Sequence, residues 1–430
     1  MKKFLALIIA LVMALSLVAC GEQKQPETPD VPDDGEQTAT IKVGFITLHD
    51  ENSTYDLNFI NAAKEAIANL GLTENDYILK TNIEEGQKCY DTAAELADAG
   101  CNIIFADSFG HESYMIQAAK DFPDVQFCHS TGTRAHTENL PNYHNAFASI
   151  YEGRYLAGIA AGMKMNEMIE AGKFTADEAK MGYVGAFTYA EVVSGYTSFY
   201  LGAKSVCPTV TMDVTFTGSW YDETLEKEGA QKLIDGGCKL ISQHADSLGA
   251  PTACENAGIP NVSYNGSTQA AGPNTYIISS RIDWAPYYEM AIKAVMDGTE
   301  IPVDYTGDLK TGSVVLTDLN TAVAAEGTQA AIDEAMAKLE NGELHVFDCS
   351  TFTTSVELNP FKTDFLKVDA DGHITSYLAD VDTDEAYTGD TEVITDGYFA
   401  ESTARSAPYF DLSIDGFNLL DTKMEAFPRT

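Results

Sequence analysis

The chain is poor in basic residues and in tryptophan. Its 430 residues contain 26 Lys and Arg against 65 Asp and Glu, which gives a formal net charge of −39, and only 2 Trp. A surface this acidic has no basic stripe to neutralise phosphates, so the charge argues strongly against a nucleic-acid partner. The same charge argues against electrostatic adhesion to anionic lipid.

Known catalytic and metal-binding motifs are mostly absent. The sequence has no GxxxxGK[ST], no GxGxxG after its first strand, no GxSxG and no HExxH. DADGH (369–373) and DVDTDE (380–385) resemble calcium loops, but the first lacks the leading Asp and closing Glu and the second lacks the central Gly. We interpret both as polar turns, and we expect no cofactor and no metal.

Cysteines do not form a recognisable framework. Besides Cys20 there are seven, at positions 89, 101, 128, 207, 238, 254 and 349, without a CxxC pair or metal spacing. Several stand in apolar stretches such as FCHS and GGCKLI. We therefore expect small buried residues and no essential disulfide.

The N-terminus resembles a bacterial lipoprotein leader. Residues 1–19 have a basic start and an apolar run of signal-peptide length, and LVAC with the following Gly resembles a lipobox. This predicts that Cys20 becomes a lipidated N-terminus on the outer face of a membrane; a plain signal cut near an unrelated cysteine is the alternative. Residues 20–40 are acidic and contain three prolines, which predicts a disordered tether.

From Ile41 onward, strand-like and helix-like segments alternate. IKVGFIT, DYILKTN, CNIIFADS and DVQFCHS have strand character, and helical runs with three-four apolar spacing separate them. A second series continues with YEGRYLAGIAAGMKM, KMGYVGAF and VTMDVTF, and later with CKLISQ and GIPNVSYN. Two such series predict an α/β protein with two doubly wound lobes. From about Val346 the chain reads as short strands and loops.

Unusual side chains collect where strands are predicted to end. In open parallel sheets the ligand crevice lies at the carboxyl ends of the strands, and aromatic rings with carboxylate or amide neighbours suit a flat, polar-edged ring or a sugar. Taken singly, Tyr55 is typical of a packed core residue, Asp56 of a helix N-terminus and His244 of a satisfied histidine. The candidate ligand-binding residues are Tyr55, Asp56, Asp107, Ser108, Phe109, Trp220, His244, Asp246, Asn265 and Trp284.

Five stretches together resemble the basic-membrane-protein family, the substrate-binding lipoproteins of ABC importers that include purine nucleoside receptors. They are YEGRYLAGIAAG (151–162), GSWYD (218–222), QHADS (243–247), WAPYYEMAIKAVMDGT (284–299) and SAPYFDLSIDG (406–416). The resemblance implies a type I periplasmic-binding-protein fold, two lobes joined by three crossovers. The expected lobe limits are 41–148 with 282–308 for lobe 1, and 149–281 with 309–430 for lobe 2.

The resemblance also implies a purine held between two aromatic side chains. The matching positions are Tyr55, with Asp56 where Asn is usual, and Trp220, while Asp107 matches a polar position suited to a base edge. The chain departs from the family at Asn265, where an acidic residue usually holds the ribose, and near Trp284, where a lysine is usual. These departures indicate an altered sugar pocket, and so a free base or a differently substituted nucleoside.

The expected function is therefore a lipid-anchored extracytoplasmic receptor, not an enzyme. It is expected to act as a monomer that captures a purine nucleoside or nucleobase by hinge closure and delivers it to an ABC permease with its ATPase. The alternatives are a sugar or furanose-type signal receptor of the same fold, a nucleoside hydrolase using a crevice aspartate, and a surface adhesin with an empty crevice.

Overall fold

Two large β-sheets organise the chain, for which this computed structural model describes residues 41–381 and 389–423. The predicted signal peptide, Cys20 and the tether lie outside the described residues, as does most of the DVDTDE segment. The described residues belong to one compact unit.

The first sheet has six strands in the order β11-β5-β4-β3-β1-β2, and every neighbouring pair is parallel. Its strands are β1 (Val43–Ile46), β2 (Tyr77–Lys80), β3 (Ile103–Ala106), β4 (Gln126–Ser130), β5 (Tyr143–Ala148) and β11 (Asp304–Gly307). The helices that connect them are α1 (Thr54–Asn69), α2 (Gln87–Asp98), α3 (Glu112–Asp121) and α4 (Ala135–Glu138).

The second sheet has seven strands in the order β12-β10-β9-β8-β6-β7-β18, and only the β10–β12 pair is antiparallel. Its strands are β6 (Lys180–Gly185), β7 (Thr211–Phe216), β8 (Leu240–His244), β9 (Asn261–Tyr264), β10 (Tyr276–Ile282), β12 (Val314–Leu316) and β18 (Phe417–Leu419). The helices between β5 and β11 are α5 (Ile150–Glu170), α6 (Ala190–Val206), α7 (Glu223–Asp235), α8 (Gly249–Ala257) and α9 (Ala285–Asp297), and α10 (Thr328–Asn341) follows β12.

The chain passes between the two large sheets three times. It leaves the first sheet after β5, returns to it after β10, and leaves it again after β11. We refer to the parts built on the two sheets as the first and the second lobe. Two doubly wound lobes are the architecture that the residue pattern predicts, and three crossovers are what the family resemblance implies. The exact residue limits of the lobes stay a prediction.

Helices α5 and α6 pack at backbone contact in the second lobe. A Cβ atom on Gly158 would overlap the Phe199 carbonyl oxygen, and one on Gly202 would overlap the Tyr155 carbonyl oxygen. Only glycine permits this close approach. The YEGRYLAGIAAG stretch is therefore the inner surface of a tightly packed helix pair.

The C-terminal segment after Val346 packs onto the second lobe. Phe347 contacts Tyr151 of α5 at 5.4 Å between ring centroids and stacks on Phe410 at 4.4 Å. These rings belong to the same hydrophobic cluster as α5, α6 and strand β7. The segment forms a three-stranded and a two-stranded small sheet. Their strands are β13 (Leu366–Val368), β14 (Ile374–Ala379), β15 (Thr391–Glu392), β16 (Ile394–Thr395) and β17 (Tyr398–Phe399).

Several sequence motifs have plain structural roles. The seven cysteines at positions 89 to 349 are buried and unpaired. In DADGH, the Asp369 carboxylate accepts backbone hydrogen bonds from Asp371 and His373 in the turn between β13 and β14. The described residues contain no group of three or more His, Cys, Asp or Glu placed to hold a metal ion. No helix within 41–381 and 389–423 is long and apolar enough to cross a membrane.

Candidate ligand-binding cleft

A cavity opens between the lobes, beside the carboxyl ends of strands from both large sheets. It contains about 340 Å³ of empty space, including the part that is open to solvent. Aromatic rings combined with a few carboxyl groups are a lining typical of sites for small organic molecules, so the composition of the cavity suits a ligand of that class. Its lining residues are Leu48, Tyr55, Asp56, Ser108, Phe109, Thr131, Glu191, Trp220, His244 and Asp246.

Trp220 forms the aromatic wall on the second lobe. It stands in the loop after β7, where its carbonyl oxygen accepts a hydrogen bond from the Asp246 amide at 3.0 Å. Phe187 meets the indole edge-on at 5.0 Å, and the His244 ring lies at 6.4 Å. The indole Nε1 is buried and has no hydrogen-bond partner among the described residues. The described residues therefore leave this donor unused.

Tyr55 and Phe109 form the facing wall on the first lobe. The Tyr55 hydroxyl donates a hydrogen bond to the Asp107 carbonyl oxygen at 2.7 Å, and its ring lies 4.8 Å from Phe59. This hydrogen bond fixes the ring at the start of α1. Phe109 stacks across the cleft on Tyr189, with ring centroids 5.4 Å apart and 26° between the ring planes.

Direct contacts close the cleft at its margin. The Thr54 amide at the start of α1 donates a hydrogen bond to the Asp246 carbonyl oxygen of the second lobe at 3.0 Å. The His49 ring after β1 lies 5.4 Å from the Tyr221 ring after β7. The structure therefore shows the two lobes in contact, in a closed arrangement.

Asp56 has a buried carboxylate that accepts hydrogen bonds from neighbouring groups. Its Oδ1 accepts a hydrogen bond from the His49 amide at 2.7 Å, and its Oδ2 accepts one from the Ser53 hydroxyl at 2.5 Å. Burial opposes ionisation, but the hydrogen bonds from His49 and Ser53 outweigh it and lower the Asp56 pKa. Asp56 is therefore ionised near neutral pH and offers acceptors only.

Asp107 and Asp246 have the opposite electrostatic character. Burial, followed by the nearby Asp56 charge, raises the pKa of both carboxyl groups well above the usual value. Asp107 accepts a hydrogen bond from the Leu48 amide at 3.1 Å, and a side-chain hydrogen bond with Asp56 further favours its protonated form. A carboxyl group that keeps its proton is a hydrogen-bond donor as well as an acceptor.

His244 and Glu191 form a pair at the second-lobe side. His244 Nε2 lies 3.4 Å from Glu191 Oε1, and the His244 ring lies 4.4 Å from the Tyr264 ring. Burial lowers the His244 pKa, although Glu191 opposes that shift. Behind them the buried Arg154 guanidinium lies 4.5 Å from the Tyr264 ring centroid. The pair places one acceptor-rich edge on the cleft.

Seven of the ten candidate residues line the cavity and three do not. The seven are Tyr55, Asp56, Ser108, Phe109, Trp220, His244 and Asp246. The Ser108 hydroxyl donates a hydrogen bond to the Glu85 carboxylate at 2.6 Å. Asp107 lies directly behind Tyr55 through the hydrogen bond described above. Asn265 is buried at φ 63°, and a hydrogen bond from its side chain to Asp246 partly opposes the effect of burial on the Asp246 pKa.

Trp284 is the exception to the sequence-based expectation that both tryptophan rings face the ligand. Its side chain is 2% exposed and stacks on Phe59 at 4.6 Å, with Phe147 edge-on at 6.1 Å. It belongs to the hydrophobic core of the first lobe, and it does not line the cavity. The chain reaches this core because β10 ends at a crossover that returns it to the first lobe.

Three lining residues were missed by the sequence analysis. Leu48 follows β1, Thr131 follows β4, and Glu191 stands in the first turn of α6 after β6. Each follows a strand whose carboxyl end faces the cleft, so inspection of the segments after β4 and β6 would have found Thr131 and Glu191. Leu48 carries no polar signal and could not be distinguished from a core residue.

Comparison with known proteins places the chain among solute-binding proteins. The family model described as "ABC transporter substrate-binding protein PnrA-like" (Bmp) matches residues 44–346. A purine-binding protein of Brucella abortus is 32% identical over 310 residues, which cover 71% of this chain and 83% of the relative. A candidate ABC transporter glucose-binding protein of Haloferax volcanii is 34% identical over 259 residues, which cover 60% of this chain and 62% of that relative.

A solved structure shows the same fold. An ABC transporter solute-binding protein of Aeropyrum pernix superposes with a TM-score of 0.60 at 18% identity, covering 71% of this chain and 93% of that one. The similarity confirms the predicted type I periplasmic-binding-protein fold. The family match ends at residue 346, so the C-terminal segment lies beyond it.

Proposed function

The chain belongs to the PnrA-like (Bmp) family of ABC transporter substrate-binding proteins, and from that premise we propose that it captures a purine nucleoside or a purine base. Members of this family bind small molecules outside the cytoplasm and deliver them to ABC permeases. The observation that carries the proposal is the cleft wall of Trp220, Tyr55 and Phe109, bordered by the carboxyl groups of Asp56 and Asp246. The purine-binding relative, at 32% identity, supports it.

The aromatic walls contribute affinity for any purine, because stacking on an aromatic ring does not discriminate between bases. Stacking a base on an aromatic side chain contributes about 1–3 kcal/mol. Trp220 is the principal platform, because its indole borders the cleft while its Nε1 donor has no protein partner in the described residues. Tyr55 lies on the opposite lobe, so a flat ligand ring that binds between Tyr55 and Trp220 contacts both lobes.

The carboxyl groups supply orientation. Asp56 is ionised and accepts hydrogen bonds from purine N–H groups, whereas the raised pKa of Asp246 lets that group keep a proton and donate. This mixture of acceptors and donors matches the edge of a purine better than that of an apolar ring.

Closure of the two lobes is the proposed working motion. A ligand that contacts Trp220 and Tyr55 together interacts fully only when the lobes meet, so its binding shifts the population toward the closed state. The Thr54–Asp246 hydrogen bond and the Phe109–Tyr189 stack stabilise the same state. The ABC permease with its ATPase then recognises the closed form, and the receptor itself acts as a monomer.

Attachment through Cys20 completes the proposal. A lipidated Cys20 anchors the receptor to the extracytoplasmic face of the membrane, with residues 21–40 as the tether. Mass spectrometry of the membrane-extracted protein tests this, because diacylation adds a defined mass that a Cys20→Ser variant lacks.

Calorimetric titration tests the ligand class. The chain from residue 41 is titrated with adenosine, guanosine, inosine, adenine, hypoxanthine, ribose and glucose. We expect at least one purine to bind at about micromolar Kd, which corresponds to about −8 kcal/mol. Trp220→Ala should weaken it about 5- to 150-fold, the equivalent of one stacking interaction. Phe361→Ala removes an aromatic ring that is 92% exposed and serves as the control, with unchanged affinity.

A sugar receptor is the second candidate, favoured by the candidate glucose-binding relative at 34% identity. Saturable binding of glucose or ribose, with no heat from any purine, would replace the purine proposal with this one. Conversion of a nucleoside to its base during the titration would instead identify a hydrolase.

A further inference from the structure

The last described strand continues from the C-terminal segment to the edge of the second sheet. Strand β18 pairs in parallel with β7, in the register Phe417 with Met212 and Leu419 with Val214. The Leu420 amide extends the ladder by donating to the Val214 carbonyl oxygen at 2.8 Å. This strand therefore runs toward the carboxyl end of β7, which is the end that carries the Trp220 loop.

Asp421 fastens the strand to the end of β7. Its carboxylate accepts hydrogen bonds from the Phe216 amide at 2.8 Å and from the Thr215 hydroxyl at 2.7 Å. Lys232 of α7 forms an ion pair with the same carboxylate at 3.1 Å. Although burial opposes it, the hydrogen bonds lower the Asp421 pKa, so the group is ionised near neutral pH.

Lys423 then joins the strand to a second cleft loop. The Thr188 amide donates to the Lys423 carbonyl oxygen at 2.8 Å, and the Lys423 amide donates to the Thr188 hydroxyl at 2.9 Å. The Lys423 side chain also lies along Gly218, so that a Cβ on that glycine would stand 3.5 Å from Lys423 Cδ. Residues 417–423 thus contact the loop after β6 and the loop after β7.

Both loops deliver side chains to the cleft. Thr188 stands between Phe187 and Tyr189, which lie 5.0 and 6.1 Å from the Trp220 ring, measured between ring centroids. Gly218 precedes Trp220 by two residues. The three rings form one cluster that spans the two loops. Residues 421–423 form hydrogen bonds with the backbone at the start of both loops.

We propose that residues 417–423 are a positioning brace that holds these two loops in the geometry required for binding. The brace belongs to a segment beyond the family match at 44–346, so it adds a support that the matched region does not contain. The expected effect of the brace on ligand affinity rests on the proposed function. The expected effect on the position of the Trp220 side chain can be measured without any ligand.

The test compares two truncations and two point variants in a Trp284→Phe background, where Trp220 is the one remaining tryptophan. One truncation ends at Gly416 and removes the brace; its control ends at Lys423. Asp421→Ala breaks the contacts to β7. Its control is Asp415→Ala, which removes a hydrogen bond to the Thr353 hydroxyl in the same segment, away from the cleft.

The first readout is acrylamide quenching of Trp220 without ligand, alongside Tm from circular dichroism. We expect the Gly416 truncation and Asp421→Ala to increase quenching of Trp220 and the two controls to leave it unchanged, although Asp415→Ala lowers Tm as well. If the shorter chain does not fold, Asp421→Ala decides the question. Equal quenching in Asp421→Ala and Asp415→Ala would overturn the brace.

The second readout is affinity for the tightest purine of the panel. We expect about a tenfold loss in Asp421→Ala, the loss that follows if the competent loop geometry is populated in about one molecule in ten. Increased quenching with no binding by any variant, including the parent, would refute the ligand class and leave the brace standing.

Discussion

At the residue scale, the Asp56 carboxyl group that lines the cleft and the Asp107 carboxyl group behind it have pKa values shifted in opposite directions, because they receive different hydrogen bonds. Asp56 receives hydrogen bonds from His49 and Ser53, and its pKa is lowered. Asp107 receives one from Leu48, and burial together with the Asp56 charge raises its pKa well above the usual value. His111, 4.0 Å from Asp107, does not compensate with a charge, because burial lowers its pKa to about 4.

Asp107→Asn is therefore expected to stabilise the protein more at high pH than at low pH. Because the folded pKa is raised, the native state binds the proton more tightly than the unfolded state does, and the stability of the parent falls as pH rises above the unfolded pKa. The amide keeps an acceptor for Leu48 and carries no charge. We expect a gain on the order of 1 kcal/mol in the free energy of unfolding at pH 8, because a tenfold difference in proton affinity between the folded and unfolded states corresponds to about 1.4 kcal/mol. The gain should shrink toward pH 4.

Urea denaturation at pH 4.5, 6 and 8 measures this effect. Asp98→Asn, on the exposed end of α2, is the control for removing one negative charge from an acidic protein. A stability difference for Asp107→Asn that does not change with pH, or that grows toward low pH, would show that the group is ionised in the folded state.

The two tryptophans show how far the position of a side chain can be predicted from the sequence. Both follow strands of the second sheet, and the rule that ligand crevices lie at the carboxyl ends of strands placed Trp220 beside the cleft. The same rule failed for Trp284, because a strand end fixes where the backbone is and not which core the ring enters. The contact of Trp284 with Phe59 joins residues 225 positions apart (284 − 59), and no local pattern encodes it.

At the element scale, the fit between α5 and α6 depends on backbone contact. Gly202→Ala should place a methyl group on the Tyr155 carbonyl oxygen, which forces the helices apart. Overpacking of this kind costs about 1–3 kcal/mol. Gly229→Ala in α7 meets only ordinary contacts, the nearest at 3.4 Å to Val184, and should gain about 0.5–1 kcal/mol from helix propensity.

Chemical denaturation of the two variants beside the parent measures the difference. The opposite signs make the pair informative, since both are Gly→Ala changes within helices of the second lobe. Equal effects of both substitutions would contradict the packing of α5 on α6.

Most strands of the two sheets were predicted from apolar runs, but β5, β11 and β12 were not, and β5 shows the reason most clearly. Its sequence, YHNAFA, lacks a continuous aliphatic run, and two of its polar residues are buried. The His144 ring forms a hydrogen bond with the Pro302 carbonyl oxygen at 3.0 Å, and the side-chain Oδ1 of Asn145 accepts a hydrogen bond from the Ala135 amide at 2.7 Å. These hydrogen-bond partners come from other parts of the fold, so the local sequence does not indicate that the polar residues of β5 can be buried in a strand.

At the whole-molecule scale, the alternation of strands and helices predicted two lobes, whereas the packing of the C-terminal segment had no sequence signal. Its core consists of rings from distant positions, such as Phe347 stacked on Phe410, without helical or strand periodicity. The net charge of −39 argues against nucleic acid and anionic lipid as partners, but it does not identify a ligand. The family match identifies the ligand class only as a small molecule that an ABC transporter imports.

The central claim is that a purine stacks on Trp220 in the closed cleft, and a fluorescence titration of two single-tryptophan variants tests it most directly. Trp284→Phe leaves Trp220 in the cleft, and Trp220→Phe leaves Trp284, 2% exposed in the first-lobe core. We predict saturable quenching by at least one purine in Trp284→Phe and almost no change in Trp220→Phe. A flat signal from Trp220 with every purine, or a purine response that follows Trp284 instead, would contradict the account.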